Sequence, residues 1–158
     1  MRAEEANGAE GNEEVSDNRV VCLACGAVNR LPDTKDPGAG KCGRCAEPLF
    51  AGKPADVDSG MLQRQVQKGT VPVVVDIWAP WCGPCRFMAP EYEKAAQALE
   101  PKARFLKLNS DQEQQLAGTL NIRGIPTMVL FKGGKEADRI SGAMSASQIN
   151  DWLSQRIG

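Results

Sequence analysis

Apolar residues recur along the chain in two rhythms. Val73 to Trp78 is a continuous apolar run broken only by Asp76, the pattern of a strand buried on both faces. Before it, Asp58 precedes a segment with Leu62 and Val66 on one helical face, which predicts a capped helix ending at Lys68. After it, the pattern predicts a helix from Pro84 to Leu99, a strand from Arg104 to Leu108 and a helix from Asp111 to Leu120. Thr127 to Phe131 and Glu136 to Ile140 read as strands around the turn Lys132-Gly133-Gly134-Lys135. Ser145 and Gln148 have the spacing of a capping box, opening a last helix that buries Ile149, Trp152, Leu153 and Ile157. Strand, helix, strand, helix, hairpin, helix is an α/β layer pattern. Pro90 falls inside the second helix and is expected to kink it.

The N-terminal third has neither rhythm. Residues 1–18 carry Glu4, Glu5, Glu10, Glu13, Glu14 and Asp17 against Arg2, with Val15 as the one sizeable apolar side chain. Such a stretch buries too little to offset its ordering entropy, so a disordered acidic tail is expected. Residues 19–52 hold Cys22, Cys25, Cys42 and Cys45 among Gly and Pro. This segment is too poor in apolar mass to fold without a staple, which predicts a small metal-binding module. Residues 53–158 form the expected α/β domain.

Composition narrows the chemistry. The chain has 158 residues, a net charge of −1, 6 Cys and no His. Without His, Ser–His and Cys–His nucleophilic pairs and His-ligated zinc are excluded. A near-neutral charge with no interleaved basic and aromatic residues argues against nucleic-acid binding. The start of the chain lacks a charged-then-apolar leader pattern, and no apolar run approaches membrane length. A cytoplasmic protein is therefore expected, with no membrane partner. In a reducing compartment its cysteines are more readily catalytic groups or ligands than structural disulfides.

Cys82 and Cys85, in Trp81-Cys82-Gly83-Pro84-Cys85, fall where the buried strand ends and a helix starts. There the unpaired N–H groups and the helix dipole favour a Cys82 thiolate, the attacking species in disulfide exchange. Pro84 suits the first helical turn, Gly83 keeps the approach open, and Cys85 lies one turn inside to resolve a mixed disulfide. Asp76, on the apolar strand, is expected to be buried with a raised pKa, moderated by Lys107 on the neighbouring strand. With no His available, Asp76 is the best group to move the Cys85 proton.

The other four cysteines have the pattern C-x2-C-x16-C-x2-C. That spacing suits one zinc held by four thiolates, a closed structural site. Iron or two disulfides remain alternatives. Gly26 and Gly43 are expected to relieve the tight knuckle turns.

Residues 53–158 closely resemble the thioredoxin family. The resemblance rests on Val75-Asp76-Ile77-Trp78-Ala79-Pro80-Trp81-Cys82-Gly83-Pro84-Cys85, Lys107-Leu108-Asn109, Arg123-Gly124-Ile125-Pro126-Thr127 and Gly142-Ala143. Ile77 and Pro80 depart from the Phe and Glu common in the family. The Cys module, through Asn29-Arg30-Leu31-Pro32 and Lys41-Cys42-Gly43-Arg44-Cys45, resembles that of the zinc-binding members. The resemblance implies a thioredoxin fold, a central mixed sheet flanked by helices, and a protein-disulfide reductase working through a redox-active disulfide without a bound organic cofactor. It implies a cis bond before Pro126 that frees the Ile125 backbone for a substrate segment. It gives Trp81, Gly83, Pro84, Ile125, Pro126, Gly142 and Ala143 the client contact patch. It further implies a monomer that reduces disulfide-containing clients and is regenerated by an NADPH-dependent thioredoxin reductase. Two other readings stay open: an oxidant or isomerase of the same fold, and a zinc-dependent chaperone or interaction module.

Overall fold

The computed structural model describes residues 18–157. The expected acidic tail lies outside the described residues except for Asn18, which instead begins a strand. Strands β1 (Asn18–Val21) and β2 (Val28–Leu31) form an antiparallel pair, followed by a 3-10 turn at Pro37–Ala39. The rest of the chain runs β3 (Ala55–Asp56), α1 (Ser59–Lys68), β4 (Val73–Trp78), α2 (Gly83–Leu99), β5 (Arg104–Asn109), α3 (Gln114–Thr119), β6 (Thr127–Lys132), β7 (Lys135–Ser141) and α4 (Ala146–Ile157). Five strands make one mixed sheet in the order β3-β5-β4-β6-β7. β4 is parallel to β5 and antiparallel to β6.

β4 is central because it is apolar on both faces. Val74 faces a layer built by α2 and α4, with Met88, Tyr92, Phe105, Ile149 and Leu153 all fully buried. Val73, Val75 and Ile77 face the other layer, with Leu62 of α1 and partly buried Leu116 near α3. The Tyr92 hydroxyl, deep in the first layer, donates to the Leu106 carbonyl at 2.8 Å. Asp58 caps α1 by accepting from the Met61 N–H at 2.8 Å. Ser145 and Gln148 form the expected box, with bonds of 2.9 and 3.2 Å. Pro90 lies within α2, which continues through it to Leu99.

One expected helix is shorter than its pattern. The helix expected from Asp111 starts only at Gln114. Asn109 is the reason: its side-chain oxygen accepts from the Asp111 N–H at 2.9 Å, drawing the backbone into a turn. At the other end Leu120 is the cap and Asn121 takes a positive φ of 62°, a usual helix exit.

The cysteine module packs against the α/β layers through a buried charge. Arg104, at the start of β5, is only 2% exposed. Its guanidinium donates to the Leu49 carbonyl at 2.8 Å, the Val21 carbonyl at 2.9 Å and Gln65 Oε1 at 3.2 Å. It also stacks over the Phe50 ring, 4.1 Å from the centroid. Gln65 of α1 donates to the Val21 carbonyl at 3.1 Å, and Arg64 bonds the Gly26 carbonyl. Glu100 ties the connecting segment down by accepting from Gly52 N at 3.1 Å and Phe105 N at 3.0 Å. Leu23 of the first knuckle packs against the α1-side core.

Candidate active site and candidate metal centre

The sheet ends where α2 begins, and this junction holds the dithiol. Cys82 is the N-cap of α2, and its sulfur accepts from the Cys85 N–H at 3.2 Å. That bond does for sulfur what a Ser or Asp oxygen does at other helix starts. Cys82 and Cys85 are joined as a disulfide with Cα atoms 5.2 Å apart. Both are buried, at 5% and 2% exposure, so attack on either sulfur requires a partner that reaches into the cleft. Cys82 Sγ lies 3.9 Å from the Ile125 carbonyl oxygen, which a reduced thiol can use as an acceptor. Ile125 and Trp78 pack against Ala79, Cys82 and Cys85.

The residues expected to contact clients surround this cleft. Trp81 is 68% exposed, and its indole N–H donates to Asp111 Oδ2 at 2.9 Å. Gly83 and Pro84 are exposed on the first turn of α2. The Ile125–Pro126 bond is cis. Gly142 has a positive φ of 103°, and its N–H donates to the Pro126 carbonyl at 2.9 Å, tying the two loops together. Ala143 beside it is exposed.

Asp76 shares a strand face with Val74 and Trp78, so it points into the layer between the sheet and α2. Cys85, in the first turn of that helix, lies in the smaller cluster with Ala79, Cys82, Trp78 and Ile125. It is 1% exposed, and neither carboxylate oxygen has a hydrogen-bond partner among the described residues. Burial raises its pKa to about 7, and the charge of Lys107 limits the rise. Lys107 is its register partner on β5 and holds its ammonium 4.5 Å from the centre of the Trp78 ring. Trp78 links the two groups, packing against Cys82 and Cys85 while its ring faces the Lys107 ammonium.

Asp111, which fixes the Trp81 indole, reads in the sequence only as the start of a helix. Its signal lay in the Asn109-Ser110-Asp111 turn that shortens α3.

The second cluster forms at the module. The sulfurs of Cys22, Cys25, Cys42 and Cys45 all lie within 4.8 Å of one another. Two contacts cross between knuckles, Cys22 to Cys45 and Cys25 to Cys42, each 3.6 Å. A tetrahedral ion with zinc–sulfur bonds near 2.3 Å requires sulfur edges of about 3.8 Å, so the set fits. Each knuckle is closed by its own backbone: Gly26 N to Cys22 O at 2.8 Å, and Ala46 N to Cys42 O at 2.9 Å. Asn29 braces the second knuckle, donating to Cys42 Sγ at 3.5 Å and accepting from Gly43 N at 2.9 Å. Burial pushes the Cys42 thiol up, but hydrogen bonds from Cys45, Arg44, Asn29 and Cys25 outweigh it and hold it at about 6.

One expectation about the knuckles is corrected. Gly26 takes a positive φ of 80°, as its turn requires, but the matching position in the second knuckle is Ala46 at 68°, not Gly43. The turn places its left-handed residue after the second cysteine, and Gly43 lies between the two.

The comparisons with known proteins agree with this geometry. Residues 54–155 match the family model described as Thioredoxin, and residues 21–47 match a zinc-ribbon model described as Thioredoxin 2, N-terminal. The chain is 35% identical over 138 residues to thioredoxin C-3 of Corynebacterium nephridii, covering 87% of this chain and 94% of that protein. It is 40% identical to thioredoxin 1 of Nostoc sp. over 65% of this chain and 96% of the relative. The solved thioredoxin of Malassezia sympodialis superposes with a TM-score of 0.62 at 32% identity, over 69% of this chain and 95% of that one. No helix among the described residues is long and apolar enough to cross a membrane. A dithiol at a strand-to-helix junction, a cis-proline loop facing it and a four-cysteine ribbon ahead of both place the chain in the thioredoxin family of protein-disulfide oxidoreductases, in its thioredoxin 2 type.

Proposed function

We propose that the chain is a protein-disulfide reductase in which Cys82 attacks, Cys85 resolves and Asp76 moves the proton, with one zinc held by the N-terminal module. The observation that carries the reading is the Cys82 sulfur at the start of α2, accepting the Cys85 N–H, with the buried carboxylate of Asp76 on the strand that leads to it. In the reduced protein the backbone donor and the helix N-terminus stabilise a Cys82 thiolate. That thiolate attacks one sulfur of a client disulfide. The client bond breaks, a mixed disulfide forms, and the client's other sulfur leaves and takes up a proton. Cys85 then loses its proton to Asp76 and attacks Cys82 Sγ. The second client thiol departs, two electrons have passed to the client, and the Cys82–Cys85 disulfide of the structure remains.

Asp76 suits this because burial raises it to about 7, where it exchanges a proton near neutrality. Lys107 acts as a positioning charge that keeps Asp76 from rising further. Trp81, Gly83, Pro84, Ile125, Pro126, Gly142 and Ala143 bind the client segment, with the Ile125 backbone pairing to it in extended form. Regeneration by an NADPH-dependent thioredoxin reductase and a cytoplasmic location belong to the same reading. Cys22, Cys25, Cys42 and Cys45 would hold the zinc, which neutralises thiolate charge and staples the module without an open position for substrate. The three segments 1–18, 19–52 and 53–158 are then tail, metal module and catalytic domain, with Asn18, the first residue of β1, belonging to the module.

Insulin reduction by dithiothreitol tests the reading. The native protein is expected to accelerate it, and Cys82→Ser or Cys85→Ser to abolish the acceleration. Full activity in Cys82→Ser overturns the assignment. Elemental analysis of the intact protein is expected to give one zinc, lost when Cys22 and Cys25 are both replaced by Ser.

A further inference from the structure

A polar groove opens beside the cis-proline loop and is not part of the apolar contact patch. It encloses about 380 Å³ and is lined by Asn121, Arg123, Thr127, Arg139 and Ser141. Two of these flank the client loops in sequence: Thr127 follows Pro126, and Ser141 precedes Gly142. The Gly142 N–H to Pro126 carbonyl bond at 2.9 Å holds the mouth of the groove and the client-binding loops in one frame.

The hydrogen-bonding capacity of the groove is one-sided. The Thr127 hydroxyl donates to the Gly124 carbonyl at 2.6 Å. Its single proton is thereby used, so Ser141, 2.8 Å away, donates to Thr127. Both hydroxyl protons are consumed internally. The donors left to a visitor are the Arg123 guanidinium, the Asn121 amide and the remaining N–H groups of Arg139. Arg139 is anchored from behind, by Glu136 through bonds of 2.6 and 2.7 Å and by the Leu120 carbonyl at 2.8 Å. Asp138, the other carboxylate on this strand, is engaged by Arg156 of α4. Among the described residues the lining therefore carries two guanidinium groups and no carboxylate, with Glu136 behind it on Arg139. Asn121, just past the end of α3, is held by its backbone N–H, which donates to the Gly118 carbonyl at 3.0 Å.

We infer that this groove is a specificity subsite for an acidic side chain of the client polypeptide, close in sequence to the attacked cysteine. The inference rests on the reductase reading above, because the client's extended segment on Ile125 carries its neighbouring side chains past the groove. A Glu or Asp there meets the Arg123 guanidinium fork and an amide donor, while a Lys meets the like charge of Arg123. The site raises kcat/KM for disulfides with an acidic flank and leaves the chemistry at Cys82 as it is.

A series of synthetic disulfide peptides tests this, with Glu, Gln or Lys placed in turn at the two positions before and after the attacked cysteine. At one of these positions the native protein is expected to favour Glu over Gln by about tenfold in kcat/KM, the worth of one charge-assisted hydrogen bond. The preference shrinks as ionic strength rises from about 0.01 M to about 0.15 M. Arg123→Glu reverses it. Ser141→Asp erases it by placing a carboxylate of the protein's own in the groove. Each ratio is taken within one protein, so a general loss of activity cancels. If the native protein reduces the Gln peptides but separates Glu from Gln by less than about twofold at every position, the subsite is overturned. If it reduces none of the peptides, the reductase reading itself fails.

Discussion

Arg104→Ala is the sharpest test of how the module and the α/β domain are joined. The native guanidinium makes three side-chain hydrogen bonds, two of them to carbonyls in the cysteine module, and is 2% exposed. Charge-assisted bonds are worth about 1.5–3 kcal/mol each, a gross gain of about 6 kcal/mol. Burial opposes it, lowering the guanidinium pKa from 12.5 to about 10, which corresponds to about 3 kcal/mol. The net contribution is then about 3 kcal/mol. Truncation to Ala also leaves the Leu49 carbonyl without its partner and a cavity beside Phe50. The zinc-loaded, oxidised full-length variant is therefore expected to lose about 3–4 kcal/mol in urea unfolding followed by tryptophan fluorescence and circular dichroism. Arg104→Lys, which keeps charge but loses the fork, should fall between the two. Chelating the metal first should shrink the difference between native and Ala proteins, because the carbonyls that Arg104 serves then leave their fixed positions. A loss below about 1 kcal/mol in the zinc-loaded protein refutes the clamp.

Other predictions follow from single residues. Asp76 has a folded pKa raised to about 7 against 3.8, so the folded state resists its ionisation and stability falls as pH rises between those values. Asp76→Asn should stabilise the protein by about 3–4 kcal/mol at pH 8 and by almost nothing near pH 4, while slowing insulin reduction near neutrality; equal stabilisation at both pH values would contradict the burial argument. Ala46→Gly relieves a left-handed alanine in the second knuckle and should raise urea stability of the module by about 0.5–1 kcal/mol, whereas Gly26→Ala should lower it. Asp111→Ala frees the Trp81 indole and should raise KM for protein clients more than it lowers kcat, with less than about 1 kcal/mol change in stability.

The regular elements of the α/β domain were legible because their apolar periods are clean. The apolar β4 with its one carboxylate, the Asp58 cap and the Ser145 box all stand at their expected positions. The dithiol and the four-cysteine cluster were legible too, since spacing alone brings short-range pairs together. What the chain order hid was long-range. Arg104 reads as an ordinary charge at the start of a strand, and only the folded module supplies its acceptors, 55 and 83 residues away in sequence. Gln65 likewise looks like a surface position of α1 yet is 3% exposed, because the module covers it. The early end to the α3 pattern came from a side-chain turn at Asn109 that hydrophobic periodicity does not register. Ala46 carries no sequence signal because its turn conformation is set by the knuckle and not by its residue type.

The central claim is that Cys82 alone makes the bond to the client and Cys85 alone releases it. Trapping tests it directly. A Cys85→Ser protein, reduced and mixed with a disulfide-containing client, is expected to accumulate a one-to-one mixed disulfide. Peptide mass spectrometry should place that bond at Cys82, with Cys22, Cys25, Cys42 and Cys45 unmodified while zinc is bound. An adduct carried by any of those four thiols, or a Cys82→Ser protein that traps client equally well, would contradict the account.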